Sequence, residues 1–138
     1  MYRAVLDPGI LIAALLSPHG APGKLLLAWL DGRFELVASP KLLAELERVL
    51  PRPKFSRYVT GGEAAAYVDL LGRLASIMAD PKAEARVTPD PGDDYLVLLA
   101  RSAGVHCLVS GDPHLTRLGR LQPPVLTPRA FLNLLEAE

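Results

Sequence analysis

Short apolar stretches in this chain repeatedly stop at a polar residue and give way at once to a helix signal. That alternation constrains the fold more than any other feature. Residues 3–6 read as a buried strand ending at Asp7, and Asp7-Pro8-Gly9 punctuates the way into a helix from about Gly9 to Ser17. Pro22 opens a second helix through Leu30, with Gly32 just past its end. Phe34 to Ala38 is the next strand, and Ser39-Pro40 caps a helix to about Leu50. Residues 62–78 are expected to form one amphipathic helix. Asp69, Arg73 and Ser76 are its polar stripe, and Leu74 and Ile77 lie on its apolar side. A short strand is expected near Ala85 to Thr88, and Asp93 or Asp94 caps a helix through Ala103. His106 to Val109 reads as a strand, Pro113 to Leu118 as a short helix and Val125-Leu126 as a last strand. Thr127-Pro128 starts the C-terminal helix. The expectation is one α/β domain over residues 1–138: three layers, with a mainly parallel sheet of about five strands and helices on both faces.

Composition sharpens this. At 138 residues and 50% hydrophobic, the chain can bury a core without metal or disulfide staples. Fifteen basic residues balance fifteen acidic ones, which excludes a highly cationic coat protein. The longest apolar run, Ile10 to Leu16, falls far short of the roughly 20 residues of a membrane helix. No secretory signal pattern is expected, and Cys107 as the single cysteine fits a reducing cytoplasm. His19, His106 and His114 share no metal-ligand spacing, which argues against structural zinc. Only Gln122 and Asn133 carry side-chain amides, and prolines number thirteen. That bias suits a thermophile or a GC-rich genome.

The carboxylates carry the chemistry. Asp7 follows the first strand and Asp112 follows the strand 106–109. Asp93 and Asp94 open the buried helix before that strand, and Glu45 and Glu47 lie early in the helix after the second strand. In a parallel sheet, strand C-ends and the following helix N-termini share one edge. Acids gathered there would repel one another unless a hard cation met them. Mg²⁺ and Mn²⁺ prefer such oxygen ligands and suit phosphodiester chemistry. Asp7-Pro8-Gly9 lacks the glycines and lysine of a phosphate loop, and no Ser-His-Asp motif is present. A D-x-D phosphatase motif is absent too, since no second acid lies two residues after Asp7.

Each acid also has a plain structural reading. Asp7, Asp93 and Asp94 suit helix capping, and Asp112 suits a turn. Glu45 lies four after Lys41 and three before Arg48, as in a solvated charge ladder. Periodicity does not choose between Glu45 and Glu47. Arg48, Arg52, Lys54 and Arg57 form a basic stretch, readable as a phosphate-tracking surface or as a solvated loop.

Four segments in order resemble the PIN-domain family, in its VapC-like toxin branch. They are Val5-Leu6-Asp7, Ser39-Pro40-Lys41-Leu42-Leu43-Ala44-Glu45-Leu46, Asp90-Pro91-Gly92-Asp93-Asp94-Tyr95-Leu96 and Leu108-Val109-Ser110-Gly111-Asp112. The resemblance implies a metal-dependent endoribonuclease using Mg²⁺ or Mn²⁺, with Asp7, Glu45, Asp94 and Asp112 as its acids. Ser110 and Asp93 would support them from beside the ligands. An RNA substrate, a small antitoxin protein and a homodimer are also implied. One departure stands out: the family's usual Asp-Thr-Asn is Asp7-Pro8-Gly9 here, without the hydroxyl and the amide. Loss of such supporting groups costs about 10–100-fold in affinity or activity. The rival reading is therefore a catalytically weakened module that binds RNA or a protein.

Overall fold

Strand β1 (Arg3–Leu6) lies at the centre of a five-stranded sheet ordered β3-β2-β1-β4-β5. The computed structural model describes residues 1–82, 91–117 and 121–138, and for 91–94 the backbone alone. The other strands are β2 (Glu35–Ala38), β3 (Ser76–Ile77), β4 (Cys107–Val109) and β5 (Val125–Leu126), and every pairing is parallel. The expected three-layer α/β architecture is the observed one. Strand order reverses direction between β1 and β4, and in open α/β sheets that switch point opens a crevice beyond the strand C-ends.

The helices are α1 (Pro8–Leu16), α2 (Ala21–Leu30), α3 (Pro40–Val49), α4 (Gly61–Leu74), α5 (Pro91–Ser102), α6 (Pro113–Thr116) and α7 (Pro128–Glu136). One device recurs at four strand exits. Asp7, Ser39, Asp112 and Thr127 each cap the next helix through a side-chain oxygen, and each is followed by proline at the first helical position. Proline's missing N–H is no loss there, and its fixed φ already suits a helix. The chain therefore turns sharply from strand to helix, always at the same sheet edge.

Packing explains the apolar runs. Ala4, Val5, Leu108 and Val109 are almost fully buried because helices cover both faces of the central strands. Phe34 and Phe131 meet edge to face at 5.1 Å, locking α7 onto the chain leading into β2. The Tyr67 hydroxyl donates to the Leu11 carbonyl at 2.8 Å, tying α4 to α1. Trp29, Tyr67 and Phe131 are all core residues, and Cys107 is buried, its thiol pushed up to about 12 by desolvation. Among the described residues no single helix is long and apolar enough to cross a membrane.

The expected helix over 62–78 is cut short. It ends at Leu74; Ala75 takes an extended conformation, and Ser76–Ile77 becomes β3 against Val37 and Ala38. Met78 N–H donates to the Ala38 carbonyl at 2.9 Å, and the Ser76 hydroxyl donates to Glu35. The apolar spacing of residues 74–78 suits either period, and pairing with the sheet decides it. Leu74 and Ile77 are consequently exposed, at 58% and 41%. The strand expected near 85–88 lies outside the described residues. Helix α5 begins at Pro91, so Asp93 and Asp94 fall inside its first turn instead of capping it.

Candidate metal centre

Asp7 is fixed by the switch point itself. Its backbone N–H donates to the Val109 carbonyl at 3.0 Å, continuing the β1–β4 pairing by one residue. Its Oδ1 accepts the Ile10 N–H at 2.9 Å as the cap of α1. The capping and site readings of Asp7 are therefore compatible, since one carboxylate oxygen serves the helix. The residue is only 8% exposed. Burial raises its pKa above the usual carboxylate value; hydrogen bonds from the Ser110 hydroxyl and from the Ile10 and Gly9 N–H groups oppose that, and the Asp112 charge adds to it.

Ser110 links the two acids of this seam. It is fully buried, and its Oγ accepts the Asp112 N–H at 3.0 Å while its hydroxyl serves the Asp7 carboxylate. Asp112 is half-buried, and its Oδ1 accepts the His114 N–H at 2.9 Å. His114 is exposed.

A cavity of about 510 Å³ opens here, lined by Asp7, Pro8, Gly9, Glu45, Tyr95 and Asp112 among others. Three of the four carboxylates expected to meet do share it, and they come from three distant segments. Glu45 is half-buried on its wall, whereas Glu47 is exposed and lines a separate groove with Pro51, Gly61 and Asp69. Of the two glutamates, only Glu45 lines the cavity of Asp7 and Asp112. The side chains of Asp93 and Asp94 lie outside the described residues; the next residue, Tyr95, lines the cavity. Arg48, Arg52, Lys54 and Arg57 are exposed, and none lines the cavity.

Two residues acquire importance that their sequence positions did not reveal. The Tyr95 hydroxyl lies 3.4 Å from Glu45 Oε1, donating to it, and its pKa is raised by burial first and then by Glu45 and Asp7. Lys41 does not pair with Glu45 as a charge ladder predicts. Its ammonium sits over the Tyr95 ring, 4.5 Å from the centroid. The available signals were the aromatic directly after Asp94 and the i,i+4 spacing of Lys41 and Glu45.

The donor set is all hard oxygen, which suits Mg²⁺ or Mn²⁺ and not a soft ion. Among the described residues no three His, Cys, Asp or Glu side chains are close enough together to hold a metal ion between them. Mg²⁺ keeps several waters and is usually bound through one or two carboxylates, so an open acidic cavity fits it without such a trio. The buried Asp7 beside the Asp112 charge has its ionised form disfavoured, and a nearby cation relieves both causes.

The PIN domain family model matches residues 3–114. No curated protein sequence matches the chain. Among solved structures, PAE2754 from Pyrobaculum aerophilum is similar at a TM-score of 0.68 and 17% identity, over 99% of this chain and 91% of that one. VapBC2 from Rickettsia felis, solved bound to a DNA fragment from their promoter, is similar at 0.63 and 16%, over 91% and 98%. The family match spans the first strand through the acid after β4, and the same fold recurs in both structures: the chain belongs to the PIN domain family.

Proposed function

We propose that this protein is a metal-dependent endoribonuclease that hydrolyses RNA phosphodiester bonds as the toxin component of a toxin–antitoxin pair. PIN domains are generally nucleases that use divalent ions. The observation that carries the reading is the shared cavity of Asp7, Glu45 and Asp112 at the β1–β4 switch point. Those three, with Asp94, would hold Mg²⁺ or Mn²⁺. When bound, the ion acidifies water and offsets charge on the phosphate oxygens. The protein's own part is positional. Ser110 orients Asp7 and opposes the rise in its pKa that burial causes, and Tyr95 holds Glu45 to the wall. Asp93 is a supporting acid beside Asp94.

The likeness to a VapBC structure supports a small antitoxin as partner; a basic residue of that partner would block the acids. A homodimer in the cytoplasm completes the reading. The basic stretch Arg48, Arg52, Lys54 and Arg57 is then a surface for RNA beyond the cavity.

One observation favours the weakened-module alternative. A Cβ at position 9 would lie 3.2 Å from Asp7 Oδ1, so a side chain there would reach the carboxylate, and Gly9 supplies none. The decisive experiment is cleavage of single-stranded RNA. The expected result is cleavage with Mn²⁺ or Mg²⁺, abolished by EDTA and by Asp94→Asn. Cleavage that survives both contradicts the mechanism; no cleavage alongside intact RNA binding supports the alternative.

A further inference from the structure

A polyanion approaching a pocket lined by carboxylates is repelled, and besides a metal ion held by those acids a cation at the entrance offsets that repulsion. In a chain of zero net charge that cation must be placed locally. The basic stretch 48–57 does not line the acidic cavity, and Glu47 beside it opens onto a different groove. Lys41 does not line the cavity either, but its ammonium rests on a residue that does. Lys41 is exposed in the first turn of α3, one turn before Glu45 and on the same helix face. Its ammonium rests 4.5 Å from the centroid of the Tyr95 ring, and that tyrosine lines the cavity and donates to Glu45.

Two features keep the lysine available at the rim. Among the described residues it has no carboxylate within ion-pair distance; Asp80 accepts the Lys41 backbone N–H at 2.9 Å instead. Tyr95 is itself buried, so its ring is a fixed platform, and among the described residues the ammonium over it has no ion pair that a phosphate would have to displace.

Building on the nuclease reading, we propose that Lys41 is the phosphate-binding residue of the acidic cavity. It would grip a backbone phosphate next to the scissile one, with Tyr95 as the platform that aligns it with Glu45. Lys41 binds substrate; Tyr95 positions.

The test is binding of a single-stranded oligoribonucleotide by fluorescence anisotropy, in EDTA to stop metal-dependent cleavage, over roughly 50–200 mM salt. One lost phosphate contact on a single strand lowers the salt slope by about 0.7 and weakens binding about fivefold near 0.1 M salt. Lys41→Gln is expected to show both, and Lys41→Arg to restore them. Arg73→Gln removes the same charge at the opposite sheet edge, just before β3, and is expected to keep the wild-type slope. Calorimetry should give Lys41→Gln the wild-type Mn²⁺ affinity, which a folding defect would not. An unchanged slope in Lys41→Gln, an equal drop in Arg73→Gln, or no RNA binding by the wild type overturns the proposal. Manganese-dependent RNA cleavage by the wild type alongside any of these leaves the nuclease reading standing. Absence of that cleavage with the Lys41 slope effect intact overturns the nuclease reading alone.

Discussion

The Ser110 hydroxyl serves the Asp7 carboxylate where β1 and β4 end side by side, and the same oxygen accepts the Asp112 N–H at 3.0 Å. One buried side chain thus ties the Asp7 carboxylate to the backbone of Asp112, about a hundred residues on in sequence. With position 9 a glycine, no side chain there reaches Asp7; its hydrogen-bond partners are the Gly9 and Ile10 N–H groups and the Ser110 hydroxyl, just past β4.

Ser110→Ala should therefore weaken Mn²⁺ binding about 10–100-fold, the usual cost of removing a group that orients a ligand. It also leaves the half-buried Asp112 N–H without its acceptor, for a stability loss of about 1 kcal/mol. Calorimetric titration and urea unfolding read the two effects separately. Ser110→Thr keeps the hydroxyl and should recover most of the metal affinity.

Asp7→Asn should stabilise the metal-free protein while abolishing metal binding. The asparagine carbonyl still accepts the Ile10 N–H, so the cap survives and the buried charge is gone. The folded pKa of Asp7 is raised, chiefly by burial, so the folded state holds its proton more tightly than the unfolded chain. Wild-type stability accordingly falls as pH rises from the unfolded value, about 3.9, through the raised folded value, and is flat beyond it. The advantage of Asp7→Asn should be absent below that window and reach on the order of 1 kcal/mol above it. Urea midpoints in EDTA at acid and neutral pH check the sign.

Gly23→Ala should be among the most damaging substitutions outside the site. A Cβ there would lie 2.1 Å from the Pro18 carbonyl oxygen, and backbone cannot yield as a side chain can. The clash outweighs the helix propensity gained, and a loss of about 2–3 kcal/mol is expected in thermal unfolding.

Much of this was legible in the sequence because strand exits are written in short local signals. Ser39-Pro40 and Thr127-Pro128 mark helix starts without help from the rest of the chain, and both caps form as read. The shared edge then follows from parallel topology, which brings Asp7, Glu45 and Asp112 together. What failed was decided at longer range. Residues 74–78 satisfy the helical period, yet β2 recruits Ser76 and Ile77 as a strand. Lys41 and Glu45 have ion-pair spacing, but Tyr95, fifty residues on from Glu45, takes a contact with each. The choice between Glu45 and Glu47 was likewise closed to periodicity, because only the packing of α3 against its neighbours separates cavity from groove.

The most direct test of the account is a crystal soaked in Mn²⁺ and measured for anomalous scattering at the manganese edge. An ion peak within coordinating reach of the Asp7 and Asp112 carboxylates, with Asp94 and Glu45 around it, is the predicted result. A cavity without manganese when the crystal takes it up elsewhere, or an Asp94 carboxylate directed away from Asp7, would contradict it.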